Sequence, residues 1–195
     1  MKRRRFWIVA GAALTAIGIG GAWYLLRDTP DKVGRRLANA WATGDVQTIL
    51  RYIPAGERAA LSEQQLRTAY QKAILDEFGN FSLKSLEKDE PVRLEGKVRH
   101  QFVATYEKPD GADFEVEITV TENRNSFTSA AIGTLLRIYD GEAISRGLTS
   151  GEYDGSYDSY IKIQSVARKR VNGLLVEAGV SHVYIPSDGR LFPLE

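Results

Sequence analysis

The amino-acid sequence predicts an α+β protein: three N-terminal helices packed on an antiparallel sheet, then a C-terminal helix and a short hairpin. Two observations indicate this class. Apolar residues recur at helical spacing over residues 30–78, and apolar and polar residues then alternate over residues 92–120. A third observation, a long run without charge at residues 6–26, predicts one N-terminal transmembrane helix in addition.

The run at residues 6–26 follows the basic arm Lys2–Arg5 directly. As a helix it is about 31 Å long at roughly 1.5 Å per residue, which matches a hydrocarbon core of about 30 Å. Trp7 lies near one end and Trp23 near the other, where aromatic rings prefer the headgroup layer. The alternatives are a cleaved signal peptide and a buried helix of a soluble protein. The length of the run and its Trp-Tyr-Leu-Leu end favour an uncleaved anchor.

Basic residues flank this run on both sides, but they are denser in the N-terminal arm. The dense arm favours a cytoplasmic N-terminus. We therefore expect a single-pass protein of the bacterial inner (cytoplasmic) membrane, with its C-terminal domain outside the cytoplasm.

The charge and composition of the chain exclude several classes of site. The chain has 26 Lys and Arg residues, four of which lie at positions 2–5, so 22 remain against 25 Asp and Glu. A nucleic-acid binder should carry a basic excess instead, so we expect no nucleic-acid partner. Without cysteine the chain has no disulfide, thiol nucleophile or Cys-based zinc site, and two histidines do not suit a multi-histidine metal centre. We expect no cofactor and no metal.

The first two helices have clear start and stop signals. Thr29 suits the N-cap and Pro30 the first helical position. Gly44 ends the first helix, Asp45 can cap the second, and Pro54 stops it. The apolar positions recur at helical spacing: Val33, Leu37, Ala40 and Trp41, then Val46, Ile49, Leu50 and Ile53.

The third helix begins at a capping box, Ser62 with Gln65, and Leu61 with Leu66 can form a hydrophobic staple around it. Gly79 suits its C-terminal cap. Its apolar residues mark one buried face: Leu66, Ala69, Tyr70, Ala73, Ile74 and Phe78. We expect one shared core that contains Trp41, Leu66, Tyr70, Ile74, Phe102 and Ile118.

A hairpin follows around the turn at residues 108–111. If Tyr106 pairs with Phe114, then His100 faces Val120 and the apolar residues of both strands lie on one side of the sheet. The charged residues point the other way, and we interpret the rows Arg93, Lys97, Arg99 and Asp113, Glu115, Glu117 as a solvated face with cross-strand pairs. The alternative for these rows is a docking surface.

The remaining chain predicts a third strand over about 127–139, a loop over 140–157, a helix over about 158–178 and a hairpin around residues 187–190. The third strand is inferred from apolar residues on both faces, including Ile132, Leu135 and Leu136. The loop is rich in Gly, Ser, Tyr and acidic residues, and an acidic group around Asp154 offers a weak alternative as a sugar or divalent-cation site.

Parts of this chain resemble the nuclear-transport-factor-two-like, or SnoaL-like, superfamily. Residues 37–45, Leu-Ala-Asn-Ala-Trp-Ala-Thr-Gly-Asp, followed by Ile49 and Leu50, are similar to its opening signature. Phe78-Gly-Asn-Phe81 resembles members that precede transpeptidase domains or stand alone behind a membrane anchor. The resemblance covers about residues 30–139. It implies a cystatin-like cone, in which helices close one side of a curved antiparallel sheet and leave a pocket between them.

We accordingly divide the chain into a basic cytoplasmic tail, a transmembrane helix, a SnoaL-like domain, and an extension of loop, helix and hairpin. Their bounds are residues 1–5, 6–26, 28–139 and 140–195. Members of this superfamily include isomerases, cyclases, dehydratases, binding modules and secretion-system scaffolds, so the fold does not decide the activity.

The resemblance places candidate pocket-lining residues between the helices and the sheet: Trp41, Tyr70, His100 and Phe102. Enzymes of this family use His or Asp on that face as acid or base, and imidazole suits this role near neutral pH. We expect no Asp or Glu on the same face as His100, which favours a structural histidine, and we assign no catalytic residue.

These observations favour a binding or assembly module at the membrane, whose partner is another envelope protein or a second copy of the chain. One alternative is a pocket enzyme of isomerase or hydrolase type that uses His100. Another is a scaffold component of a secretion apparatus.

Overall fold

The computed structural model describes residues 28–94, 96–124, 126–185 and 190–194. The predicted transmembrane helix at residues 6–26 lies outside these residues. None of the helices within them has the length and apolar character needed to cross a bilayer. The described chain is an α+β domain with six helices and a five-stranded antiparallel sheet. This corrects the predicted fold class, which had three helices before the sheet and one after it.

The helices occur in two groups, four before the sheet and two after it. Their bounds are α1 Pro30–Thr43, α2 Val46–Tyr52, α3 Ala55–Ala60, α4 Glu63–Tyr70, α5 Ala131–Ser150 and α6 Tyr157–Glu177. Helix α4 continues through a π-helical stretch, Gln71–Leu75, into a last turn, Asp76–Phe78. Helix α3 was not predicted.

The predicted helix caps are confirmed. The Thr29 side chain accepts the Lys32 amide hydrogen, and Gly44 ends α1 in the left-handed conformation at φ 66°. Asp45 caps α2 through the Thr48 amide. Ser62 forms a complete capping box at the start of α4. Local signals therefore determine where these helices begin and end.

The main sheet has the strand order β1-β3-β4-β5. Strand β1 pairs with the C-terminal half of β3, and β2 pairs with the N-terminal end of the same strand. The predicted register is confirmed, since Tyr106 lies opposite Phe114 and His100 opposite Val120. The strands are β1 Ser82–Lys88, β2 Val92–Leu94, β3 Lys97–Glu107, β4 Asp113–Asn123 and β5 Ser126–Thr128, and a C-terminal hairpin contains β6 His182–Ile185 and β7 Arg190–Pro193.

One hydrophobic core lies between the helices and the inner face of the sheet. The six residues predicted to share it are all buried in one cluster: Trp41, Leu66, Tyr70, Ile74, Phe102 and Ile118. Helix α1 crosses this face closely at Gly34, where a Cβ atom would lie 2.8 Å from the Phe102 ring. This close approach explains why a glycine is accommodated inside α1 despite its low helix propensity.

The predicted third strand over 127–139 is wrong. Only Ser126–Thr128 is a strand, and Ala131–Ser150 is helix α5, so the predicted loop over 140–157 is also wrong as far as residue 150. Ile132, Leu135, Leu136 and Tyr139 follow the spacing i, i+3, i+4, i+7, which places them on one helical face. The predicted domain boundary at residue 139 falls inside α5.

Helix α5 lies along the edge of β4 that β5 leaves uncovered. The Arg137 guanidinium donates to the Glu117 carbonyl at 3.3 Å, and the Ser145 hydroxyl donates to the Asp113 carbonyl at 2.8 Å. Between them, a Cβ atom on Gly141 would lie only 2.5 Å from the Glu115 carbonyl oxygen. Four residues of a helix rise about 6 Å, and two residues of a strand span about 7 Å. Because these two distances are similar, every fourth residue of α5 meets every second residue of β4.

A buried carboxylate from α3 caps the start of α5. Glu57 accepts the amide hydrogens of Ala131 and Ile132, both at 2.9 Å. Burial raises the pKa of Glu57, and the two amides partly offset this effect. The N-cap residue Ala130 has no polar side chain, so Glu57 satisfies amide groups that would otherwise be buried without a partner.

The charged rows on the outer face of the sheet do not face each other as predicted. Arg99 lies opposite Thr121, whereas Glu115 lies opposite Thr105 and Glu117 opposite Val103. Lys97 and Arg99 therefore occupy one end of the outer face and the acidic residues the other. Arg93 was predicted in the same basic row, but it lies opposite Val98 and thus on the other face of the sheet. The predicted cross-strand pairs between the two rows are wrong, because the hairpin register separates them.

Candidate functional site

A cleft of about 700 Å³ opens between α5 and α6, beside the last turn of α4. It combines an apolar surface with several charged side chains, which is typical of ligand-binding clefts. Its apolar lining includes Phe78, Ala143, Ile163, Val166 and Ala167, and its charged lining includes Glu77, Glu142, Arg146, Glu152, Lys162 and Arg170. We call this feature the α5–α6 cleft.

Glu77 connects the three helical segments that surround the cleft. Its carboxylate accepts hydrogen bonds from the Arg170 guanidinium at 2.6 Å and from the Tyr139 hydroxyl at 3.2 Å. Its backbone carbonyl accepts a third from Arg146 at 2.8 Å. Burial, together with the negative charge of Glu77, raises the pKa of Tyr139 to about 12, so this hydroxyl remains a hydrogen-bond donor at neutral pH.

Glu142 lies behind the cleft and is fully buried. One carboxylate oxygen accepts hydrogen bonds from Lys108 Nζ at 3.0 Å and from Arg146 Nε at 2.7 Å. The other oxygen, Oε2, has no hydrogen-bond partner among the described residues. Lys108 begins the turn after β3, so Glu142 ties α5 to the hairpin and also fixes the orientation of Arg146.

The cations of the cleft face solvent, whereas their carboxylate partners lie behind them. The side chains of Arg146 and Arg170 are 53% and 60% exposed, against 0% for Glu142 and 23% for Glu77. Each guanidinium uses some of its N–H groups inside the protein and keeps the others available. The cleft therefore presents two oriented guanidinium groups to whatever enters it.

An aromatic surface lies under one of these groups. The Arg146 guanidinium carbon is 4.8 Å from the centroid of the Phe78 ring, and the Phe78 and Tyr139 rings are 4.7 Å apart. Val166, on α6, is also exposed in the cleft. A ligand here can combine an acidic group with an apolar one.

The walls of the cleft are held together at several points. Arg168 on α6 forms an ion pair with Asp140 on α5. Lys72 in the π-helical stretch forms another with Glu177, at the end of α6, at 2.8 Å. The first contact fixes α6 to α5 and the second fixes α6 to the segment after α4, which favours a cleft that is formed before a ligand arrives.

The four pocket-lining residues predicted from the sequence lie elsewhere. Trp41, Tyr70, His100 and Phe102 are all buried in the core, and none of them lines the α5–α6 cleft. The Tyr70 hydroxyl donates to the Trp41 carbonyl at 2.7 Å, and burial raises the pKa of Tyr70 to about 12. Their role in binding a ligand stays a prediction.

His100 has an acidic neighbour that was not expected. Its Nε2 atom lies 3.0 Å from a carboxylate oxygen of Glu122, which occupies the same face of β4 as Val120. The prediction that this face holds no Asp or Glu is therefore wrong. The histidine is 7% exposed, and its buried Nδ1 has no hydrogen-bond partner in the part of the chain that the structure describes.

The acidic segment before α6 is explained by local structure. Asp154 accepts hydrogen bonds from the Ser156 amide and the Ser159 hydroxyl, and these residues lower its pKa to about 2. Ser156 in turn caps α6. Within the described ranges, no group of three or more His, Asp or Glu residues could hold a metal ion.

The sequence interpretation missed the charged residues of the α5–α6 cleft. Glu142 and Arg146 lie four residues apart, which is a common spacing for an ion pair on one helical face. That spacing is visible in the sequence, but it indicates an ion pair only if the segment is helical. Because residues 140–157 were predicted as a loop, the ion pair was not predicted.

Comparison of the chain with protein-family models, with curated proteins and with solved structures gives no match. The similarity to the SnoaL-like superfamily stays a prediction from local sequence.

Proposed function

We propose that this protein is a binding module without catalytic activity, and that its α5–α6 cleft holds an acidic segment of a partner protein. The arrangement of charge is the main support for this proposal: Arg146 and Arg170 project into the cleft, while Glu77 and Glu142 lie behind them. Guanidinium groups bind carboxylates through paired, charge-assisted hydrogen bonds. Because both groups are already oriented, binding costs less side-chain entropy.

The apolar lining supports a peptide over a small free anion. Phe78 and Val166 offer an apolar surface next to the two guanidinium groups. An acidic segment with one large apolar side chain would contact both parts of the cleft. A second copy of this chain is the alternative occupant that the experiment below distinguishes.

The N-terminal sequence supports a location at the membrane. Residues 6–26 are uncharged and follow the basic arm Lys2–Arg5. We propose that the chain is attached there to the bacterial inner membrane, with residues 28–195 outside the cytoplasm and an envelope protein as the partner. A reporter that is active only after export, fused after Glu195, should then be active, and activity of a cytoplasm-only reporter at that position would reverse the orientation.

A photo-crosslinking amino acid placed in the cleft tests the binding function. Val166 and Val176 lie on the same helix, and their exposed fractions are similar, at 67% and 57%, but only Val166 lines the cleft. With the crosslinker at position 166 in cells we expect a discrete adduct, and at position 176 we expect none.

The same experiment tests whether binding depends on the positive charges of the cleft. Exchange of Arg146 and Arg170 for glutamine should reduce the adduct at position 166 by at least tenfold, because two charge-assisted contacts are lost. An adduct twice the mass of the chain would identify self-association instead. Equal adducts at both positions, or none at position 166 under conditions where the protein is folded, would exclude the cleft as the binding site.

One observation favours a second candidate function, a pocket enzyme that uses His100. The contact with Glu122 could orient the imidazole, as in acid–base pairs of enzymes, and Nδ1 has no hydrogen-bond partner among the described residues. Against this, the ring is almost completely buried, which limits the access of a substrate.

The exchange His100→Gln distinguishes these roles. If His100 is structural, the free energy of unfolding should fall by about 1 kcal/mol for one lost net hydrogen bond, and cellular function should survive. The measurement is complementation of a deletion strain, with folding of the variant checked by circular dichroism. Complete loss of function in a folded His100→Gln protein would favour the enzyme over the binding module.

A further inference from the structure

A second, smaller cavity lies where the basic end of the outer sheet face meets α5 and the C-terminal hairpin. Its volume is about 190 Å³, and it shares no lining residue with the α5–α6 cleft. Three cationic side chains line it: Lys97 and Arg99 from β3, and Arg137 from α5. No carboxylate is among its described lining residues.

The hairpin register keeps the described acidic residues of the outer face away from Lys97 and Arg99. Arg99 lies opposite Thr121, whereas the acidic residues on the outer face of β4 are Asp113, Glu115 and Glu117, nearer the start of the strand. Among the described residues, neither Lys97 nor Arg99 has a carboxylate partner. The Arg137 guanidinium donates one hydrogen bond, at 3.3 Å, to the Glu117 carbonyl. Three positive charges therefore surround one small space, and no carboxylate is among the described residues that line it.

Hydroxyl groups complete the lining of this cavity. Thr121 and Thr128 face each other across β4 and β5, and Tyr184 contributes from β6. Thr119 also lines the cavity, but its hydroxyl donates to the Glu117 carboxylate at 3.0 Å. The available donors are thus of two kinds, cationic and neutral, as in many sites for tetrahedral oxyanions.

The N-terminus of α5 does not contribute to this site. Ala130 lines the cavity, but Glu57 already accepts the amide hydrogens of Ala131 and Ile132. Recognition of an anion here would depend on the side chains of the sheet and of Arg137.

We propose that this cavity binds a phosphate group. A volume of 190 Å³ equals the liquid share of roughly six water molecules, which is enough for one phosphate and part of its substituent. Two guanidinium groups and one ammonium group neutralise its charge, and the hydroxyls donate to the remaining oxygens. The phosphate group can belong to a free anion or to the headgroup of an anionic phospholipid. The same side chains would contact the phosphate oxygens in both cases.

Titration of the purified full-length chain with inorganic phosphate tests the first source, with binding measured by isothermal titration calorimetry. Co-sedimentation with phosphatidylcholine vesicles, with and without phosphatidylglycerol, tests the second. We expect saturable binding of phosphate, of the phosphatidylglycerol vesicles, or of both.

The double exchange Lys97→Gln and Arg99→Gln should weaken this binding at least tenfold. The control is Arg93→Gln, which removes one positive charge from the neighbouring strand β2 but from the opposite face of the sheet, because Arg93 lies opposite Val98. Arg93 does not line the cavity. This exchange should change the affinity less than twofold. Thr121→Val keeps every charge and nearly the same shape, and it should weaken binding about threefold. It is the second test if the double variant unfolds, which thermal denaturation reveals.

Each result has a defined meaning. Phosphate binding that depends on Arg99 supports a free anion as the ligand, and vesicle binding alone with the same dependence supports a lipid headgroup. Absence of binding to both probes overturns the proposal. Equal loss in the Arg93→Gln protein and in the double variant also overturns it, because the attraction would then come from the general positive charge of this end of the sheet and not from the cavity.

Discussion

Replacing Phe102 with alanine is expected to lower the free energy of unfolding by about 3–5 kcal/mol. The Phe102 side chain is buried between α1 and the inner face of β3, and its ring is in close contact with Gly34. Alanine would leave a cavity that α1 cannot fill, because Gly34 has no side chain. The loss combines the transfer of the ring with the cost of this cavity.

Denaturation of the full chain by urea, followed by circular dichroism, measures this change. Val103→Ala is the matched control, since Val103 is the next residue of β3 and points to the outer face. It should cost clearly less than Phe102→Ala. A change below about 1 kcal/mol for Phe102→Ala would contradict its placement in the core.

The exchange Glu142→Gln is expected to cost a similar amount, about 3–5 kcal/mol, as for other buried ion pairs that lose one partner. Glu142 is the carboxylate that Lys108 contacts, and the Lys108 side chain is only 10% exposed. Glutamine keeps the shape but removes the charge, so the Lys108 ammonium group would remain buried without a counter-charge. Arg146, which is more exposed, can turn toward water instead.

Two further variants identify the source of this loss. Glu152→Gln removes a carboxylate from the exposed rim of the same cleft and should cost less than about 0.5 kcal/mol. The pair Glu142→Met and Lys108→Met removes both charges and should recover most of the stability, because an apolar pair often replaces a buried ion pair without net cost. If Glu142→Gln and Glu152→Gln unfold at the same urea concentration, the ion pair of Glu142 does not stabilise the domain.

The hairpin of β3 and β4 could be predicted in detail because its signal is strong. Alternation with period two decides which side of each strand is buried, and the turn at Lys108 decides the register. The same register also implies that Arg99 lies opposite Thr121, and that Glu122 shares a face with His100. Both facts could have been inferred, since they follow from counting one and two residues beyond Val120.

The sequence signal for helix α5 is weaker than the signal for this hairpin. Its first turns are apolar on nearly every side, and a short apolar run suits a buried strand as well as a buried helix. Gly133, Gly141 and Gly147 also lower the helix propensity of this segment. Close packing gives one of them a clear role, because the Glu115 carbonyl lies where a side chain at position 141 would be.

The buried carboxylates were beyond the reach of pattern analysis. Glu57 and Glu142 are charged residues that a sequence reader assigns to the surface, and each is buried because of partners that are distant in sequence. Glu57 meets α5 more than seventy residues later. Such contacts are determined by the packing of helices, which local spacing does not reveal.

The position of α5 along β4 has a consequence for the behaviour of the protein among other copies of itself. A strand with a free edge offers unpaired backbone groups to strands of other molecules, and β4 is rich in β-branched and aromatic residues that favour such addition. By occupying the carbonyl groups of Asp113 and Glu117, α5 keeps this template covered. Because Glu57 fixes the start of α5, we expect its loss to expose this edge and to favour aggregation.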